Sequence, residues 1–339
     1  MLKLFQPYVS PQAKQLCMEV LDSNYLTEGE QVKLFEHEFS TEFNVPNVVA
    51  LNSGTSALEL AYELAGITEG DEVLTPVFTC TATNLPLVHR KANIVFVDTD
   101  YDLNINIEDV KKKITPKTKA IVFVHFGGNN RGLKELVDLC RERQIVLIED
   151  AAQAIGSEYW GHGDFTCISL QAIKILTAGD GGILLCHKSE DAERAKRLRW
   201  FGFDRELKQK VGNCDVSEAG YKYHMNNINA AIGRGNLMVI YELVEHRKRL
   251  AEIYKTAGLI SNAWLSGGFT DDYEGLKNKM ADAGYEIGQA HYRNDMYTVF
   301  KPYKNDCPVM DKIEGTYFFV PYHHGVTEED ARNICQLLK

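Results

Sequence analysis

From about residue 45 to residue 190 the chain alternates short runs rich in Val, Ile and Leu with longer stretches whose apolar residues recur at helical spacing. That alternation constrains the fold more than any other feature, because repeated strand–helix–strand units build an α/β domain on a largely parallel sheet. The pattern predicts strands at 48–51, 72–75, 93–97, 120–125, 146–150, 167–170 and 182–186, with helices between them such as 56–64 and 133–143. The turn Thr68-Glu-Gly-Asp71 and the break at Pro76 mark boundaries. The most apolar run, 144–150, ends on Glu149-Asp150 and passes directly into Ala151-Ala-Gln-Ala154.

The last hundred residues change character. Apolar positions at Leu237, Ile240, Leu243 and Leu250 predict one long amphipathic helix over 228–256. A smaller α+β unit follows, closing with a helix over 328–338 capped by Thr327. The polar stretch 204–219 reads as a mobile loop. A length of 339 residues suits two domains. The expected division is a large domain over 1–235, with an N-terminal arm at 1–25, and a linking helix plus small domain over 236–339.

A formal charge of −10 argues against a broad nucleic-acid footprint, so an anionic ligand must be held by local donors. No apolar run approaches the ~18 residues of a membrane span, and the start lacks the pattern of a secretion signal. The eight cysteines are scattered without a CxxC, which points to neither a zinc site nor a disulfide framework, and a reducing cytoplasm is expected. Cys167 and Cys186 fall inside strand-like runs and read as buried thiols. His323-His324 does not suggest a metal, since neighbours in extended chain face opposite ways.

Lys174 lies on a loop 24 residues beyond Asp150, five residues after Ser169, and is followed by Thr177 and Gly179-Asp-Gly-Gly182. A strand-end carboxylate and a loop lysine are the two groups needed to hold a pyridine-ring aldehyde cofactor. The carboxylate keeps the ring nitrogen protonated and the amine forms the Schiff base. Each alone has a plainer reading, a capping acid and a solvated lysine. Ser53-Gly-Thr-Ser-Ala-Leu58 joins a strand to a helix. Its glycine, the hydroxyls of Thr55 and Ser56 and the free amides suit a phosphate, or the hydroxyls simply cap the helix. Gln153 reads either as a partner of the cofactor's ring hydroxyl or as a surface amide. No GxGxxG follows the first strand, which disfavours a nicotinamide enzyme.

In this order and spacing, Asn52-Ser-Gly-Thr-Ser-Ala-Leu58, Gly70-Asp-Glu-Val-Leu-Thr-Pro76, Glu149-Asp-Ala-Ala-Gln-Ala154 and the segment from Ser169 to Gly182 resemble the DegT/DnrJ/EryC1/StrS sugar aminotransferases. The resemblance runs from Asn24-Tyr-Leu-Thr-Glu-Gly29 to Gly220-Tyr-Lys-Tyr-His-Met-Asn226 and more loosely to the C-terminus. It implies the fold-type I pyridoxal-phosphate transferase architecture (aspartate aminotransferase-like), with a central, mostly parallel seven-stranded sheet and a smaller C-terminal α+β domain. It also implies that Lys174 is the Schiff-base lysine, that Asp150 pairs with the pyridinium nitrogen, and that Gln153 sits near the ring oxygen. Gly54, Thr55, Ser56 and Ser169 then hold the phosphate of pyridoxal 5′-phosphate (PLP). The family works as a homodimer with shared active sites, which would bring Lys222 to the partner's cofactor phosphate, although many members carry asparagine there.

A second departure is Cys80, where the family places an aromatic ring over the cofactor; either Phe78 or another ring covers that face, or smaller groups pack it. For the substrate, the resemblance points to Thr27, Phe78, His291 and Arg293. Arg293 is read either as a bidentate clamp on a diphosphate or as a structural partner of Asp295. The expected reaction moves an amino group from L-glutamate to a nucleotide-linked 4-keto-6-deoxyhexose, as in perosamine or viosamine synthesis. A 3-amino product, a sugar dehydratase (whose members carry histidine in place of the lysine) and a PLP-binding regulatory protein are the alternatives.

Overall fold

A seven-stranded sheet occupies the centre of the chain in the computed structural model, which spans residues 1–339. Its strands are β1 (Val48–Leu51), β2 (Glu72–Pro76), β3 (Asn93–Val97), β4 (Thr118–Val124), β5 (Val146–Asp150), β6 (Phe165–Ser169) and β7 (Gly182–Cys186). They lie in the order β1-β7-β6-β5-β4-β2-β3, and only β7 is antiparallel to its neighbours. Strands β1, β2 and β7 are buried along their whole length, as expected of a sheet covered on both faces. The predicted strands match within two residues at every end.

This topology gathers the candidate chemistry at one edge. Asp150 closes β5, Ser169 closes β6 and Ser53 follows β1. Because β7 is reversed, its first residue lies at the same edge, where Gly182 pairs with both Leu51 and Ser169. Ligands of open α/β sheets bind outside the carboxyl ends of the strands.

Two predicted elements differ. The helix expected over 228–256 is two helices, Asn227–Leu237 and Ile240–Lys255. The break falls at β-branched Val239, which sits at φ −118° and ψ 12°, outside the helical region. It redirects the chain so that Leu237 and Ile240 enter the large core while Leu250 and Tyr254 enter the small one. The apolar spacing continues across the break, so periodicity could not reveal it. The stretch read as a loop contains a helix, Arg205–Val211, started by the Asp204 side chain accepting from Leu207 N at 2.9 Å.

The C-terminal unit carries an antiparallel sheet of β8 (Ile260–Ser261), β9 (Ser266–Phe269) and β10 (Tyr317–Phe319) in the order β10-β9-β8. The closing helix, Glu328–Leu337, starts with a capping box between Thr327 and Asp330. The two units interlock. Phe300, Met310 and Ile313 pack into the large core, and the N-terminal arm lies along the small unit through Leu2 N–Gly284 O at 2.7 Å and Glu286 N–Leu2 O at 2.9 Å. All eight cysteines are free thiols, with Cys167 and Cys186 buried as expected. No helix is long and apolar enough to cross a membrane.

Candidate active site

Asp150 is buried at the end of β5, and each of its oxygens is fixed. Thr83 Oγ1 donates to Oδ2 at 2.7 Å, and the Ala152 amide donates to Oδ1 at 3.2 Å. Burial raises the carboxyl above the usual carboxylate range, opposed by these two hydrogen bonds and by the charges of Lys174 and His125. A buried acid with that balance is stabilised by any further cation placed against it.

Lys174 lies on the turn that follows β6, its amide bonded to Gln171 O at 2.9 Å. Its amine sits 4.0 Å from the centroid of the Trp264 ring. Burial pulls the amine down to about 8, opposed chiefly by the negative charge of Asp150. A substantial neutral fraction therefore exists near neutral pH, which is what a nucleophilic lysine requires.

The turn between β1 and the helix Gly54–Leu64 forms a cradle. Ser53 caps the helix by accepting from Ser56 N at 3.0 Å. An ideal Cβ on Gly54 would lie 2.8 Å from Ser169 Cβ, so only glycine lets the helix start approach β6 this closely. Exposed Thr55 follows at the first turn, where helical amides lack intrahelical acceptors and attract anions. Ser56 is buried and its hydroxyl is engaged by Asn52 Oδ1 at 2.6 Å and Ser53 Oγ at 2.8 Å, so it braces the cradle.

Gln153 is buried, not a surface amide. Its Oε1 accepts from Gly127 N at 2.5 Å and its Nε2 lies 3.2 Å from His291 Nε2. His291 is thereby brought to the edge of the site, and burial together with the Lys174 charge pushes its imidazole down to about 3. It is a neutral hydrogen-bonding ring there.

Phe78, expected at the substrate, and Arg293, read either as a clamp or as a structural partner of Asp295, are both engaged within the chain. Phe78 is 1% exposed and packed edge-on against Phe126 and Tyr317, at 4.9 and 5.0 Å, so its ring is core and offers no free face. Arg293 is also buried, and its guanidinium is occupied by Asp295 at 2.6 and 2.8 Å, Asp311 at 2.5 Å and Glu314 at 3.2 Å. Of its two readings the structural one describes this arrangement, and no fork remains for a diphosphate. Thr27 is exposed on the loop 24–29 and makes no hydrogen bond to the lysine loop. Lys222 is exposed, with its carbonyl accepting from Asn52 Nδ2 at 3.1 Å, so its segment borders the cradle.

Several contributors were not singled out from sequence. Thr83 and Trp264 touch the two central groups. Behind Asp150, His125 Nε2 meets Glu149 Oε2 at 2.7 Å, and that carboxylate also accepts from Gly161 N, His162 N and Gly163 N. Glu149 stood in the Glu149-Asp150 pair as a visible signal; the threonine and tryptophan, distant in sequence, carried none. Cys80 lies near enough for Asp150 and Lys174 to act on it, and burial chiefly raises its thiol, which stays protonated.

The DegT/DnrJ/EryC1/StrS aminotransferase family model matches residues 7–260, about three quarters of the chain. The chain belongs to this family. The dTDP-4-dehydro-2,3,6-trideoxy-D-glucose 4-aminotransferase of Saccharopolyspora spinosa is 33% identical over 99% of this chain and 95% of its own length. The UDP-4-amino-4-deoxy-L-arabinose–oxoglutarate aminotransferase of Shewanella sediminis is 35% identical over 75% of this chain and 68% of its own. Among solved structures, AtS13 from Actinomadura melliaura superposes with a TM-score of 0.93 at 32% identity, covering 99% of this chain and 97% of that one.

As a DegT/DnrJ/EryC1/StrS protein the chain is a sugar aminotransferase of a PLP-dependent family. The residues present fit that cofactor. Asp150 is a buried carboxylate whose ionised form needs a cation, Lys174 is an amine shifted toward its neutral form, and Gly54 admits a close backbone approach at a helix start.

Proposed function

We propose that the protein transfers an amino group from L-glutamate to the keto carbon of a nucleotide-linked 4-keto-6-deoxyhexose, giving a 4-amino-4,6-dideoxy sugar nucleotide of the perosamine or viosamine type. The observation that carries the chemistry is that buried Asp150, held by Thr83, and Lys174 stand at the same edge of the sheet, near enough for each charge to act on the other. Amination at C4 is supported by two relatives whose names place their amino group there, and one of them names oxoglutarate, the keto acid left by glutamate.

When bound, PLP supplies an aldehyde that takes up the amine and a protonated ring that withdraws electrons from the reacting carbon. Asp150 holds the ring nitrogen in its protonated form, and Thr83 with Ala152 fixes the carboxylate so that it cannot turn away. Gly54, Thr55 and Ser169 hold the phosphate. Lys174 Nζ takes the α-proton of the amino donor in the first half and delivers a proton to C4 of the sugar in the second. Neutral His291 and Gln153 form the polar wall beside the lysine.

The working unit is a homodimer in this reading, with Lys222 reaching the partner's cofactor phosphate and Thr27 serving the substrate. Purified protein given L-glutamate and a panel of nucleotide-linked 4-keto and 3-keto sugars is expected to yield a 4-amino product by mass. Amination of the 3-keto sugars alone would overturn the assignment of position.

A further inference from the structure

Trp264 comes from the C-terminal unit, just before β9, yet its side chain is 3% exposed and reaches the lysine loop. Three hydrogen bonds fix it. Its amide donates to Gly127 O at 2.7 Å, its Nε1 donates to Ile173 O at 3.2 Å, and its carbonyl accepts from buried Arg247 Nη1 at 3.2 Å. Gly127 is the residue whose amide binds Gln153, so the indole is tied to both walls of the site. Phe5 of the N-terminal arm stacks on it, with centroids 4.9 Å apart and planes inclined by 12°. The Lys174 amine lies 4.0 Å from its ring centroid.

We propose that Trp264 is a positioning residue for Lys174, its indole face being the seat that holds the released ammonium near the reacting carbon, with Phe5 and the arm keeping that seat in place. A lysine amine on a four-carbon stem has many rotamers, and one freed between two proton transfers must be kept close while it is charged. A desolvated aromatic face attracts the charged form specifically, which an aliphatic wall of the same size does not. The arm is anchored away from the site, through Leu2 at Gly284 and through the Lys3 carbonyl at His323 Nε2, 2.9 Å away. The ring above the lysine is therefore carried by the C-terminal unit and buttressed by the arm, while its bonds to Gly127 and Ile173 lock it onto the domain that carries Lys174. The proposal rests on Lys174 being the reacting amine.

The test uses the protein without cofactor. The rate at which an acylating reagent modifies Lys174, read by peptide mass across pH, gives the midpoint at which the amine loses its proton. Trp264→Leu is expected to lower that midpoint by roughly one pH unit, because the charged form loses its aromatic face, while Trp264→Phe leaves it near the parent value. Admission of water would move it the other way, so a midpoint that stays or rises in folded Trp264→Leu overturns the proposal. If Trp264→Leu does not fold, Phe5→Ala, which loosens the indole without touching the lysine, is read by the same criterion. Borohydride trapping of PLP in the parent protein tests the underlying reading separately: no label at Lys174 would sink that reading, whereas a label with an unmoved midpoint would sink only the seat.

Discussion

Thr83 donates its hydroxyl to Asp150 Oδ2 at 2.7 Å and lies 2.9 Å from Thr79 Oγ1, so the carboxylate is held at the end of a short hydroxyl chain. Thr83→Val keeps the shape and removes the donor. A hydrogen bond to a charged group contributes about 1.5–3 kcal/mol, so PLP binding to the apoprotein is expected to weaken at least roughly tenfold. Thr83→Ser should recover most of it. Equilibrium titration with PLP measures both, and a valine variant that binds as the parent does would remove Asp150 from its assigned role.

Asp150 also predicts a conflict between stability and function. Its carboxyl titrates above its unfolded value, so the folded state binds the extra proton and stability is lost as pH rises through the folded value. The apoprotein therefore bears a growing cost as pH rises and this buried carboxyl ionises. Asp150→Asn should raise the apoprotein melting temperature at pH 7 by a few degrees, on the order of 1–3 kcal/mol, and abolish transamination. The gain should vanish in acid, where the parent carboxyl is protonated. Melting curves of the two apoproteins at acid and neutral pH decide it.

How far the sequence discloses this molecule depends on whether the signal is local. Strands such as 93–97 and 146–150 are visible because apolar runs bounded by turns are local, and the Asp150–Lys174 pair is visible because both lie on one contiguous βα stretch. The break at Val239 is invisible, because it is set by which core each half of the helix enters. Phe78 misleads for the same reason, and the sequence leaves Arg293 open between its two readings. A buried arginine with three carboxylates and a surface clamp look identical as letters, and only the positions of Asp295, Asp311 and Glu314 separate them. Trp264 lies 90 residues from the lysine it covers, at a distance no spacing rule spans.

The amine of Lys174 titrates near 8, so the rate of borohydride-stable labelling by PLP should rise with pH around that midpoint rather than near 10.5. Linkage gives a second signature. Between about 8 and 10.5 the unfolded chain holds a proton that the folded one has lost, so stability from this group rises with pH across that window. Lys174→Met should flatten the rise. Labelling kinetics and chemical denaturation from pH 7 to 10.5 check the two halves independently.

Gly54→Ala would force a methyl group to 2.8 Å from Ser169 Cβ and 3.1 Å from its Cα. Strands β6 and β7 are backed by the core, so the helix start must move instead. A loss of about 1–3 kcal/mol is expected, along with a large loss of PLP affinity. Adding Ser169→Gly removes the nearest clash and should restore part of the stability but not the affinity, since the Ser169 hydroxyl goes with it. Recovery of both would show that the hydroxyl takes no part in holding the phosphate.

Arg293 separates a structural role from a substrate role most cleanly. Its pair with Asp295 is nearly closed to solvent, with side-chain exposures of 7% and 1%. Arg293→Ala leaves that carboxylate buried and alone, a change that costs about 3–5 kcal/mol. Arg293→Lys keeps the charge but not the planar fork and should fall between. Because all three guanidinium nitrogens are already bonded within the chain, KM for the sugar nucleotide should change little in any variant that stays folded. A steep rise in KM with an unchanged melting temperature would mean instead that Asp295 releases the guanidinium when substrate arrives, and that the diphosphate competes with a carboxylate for the same fork.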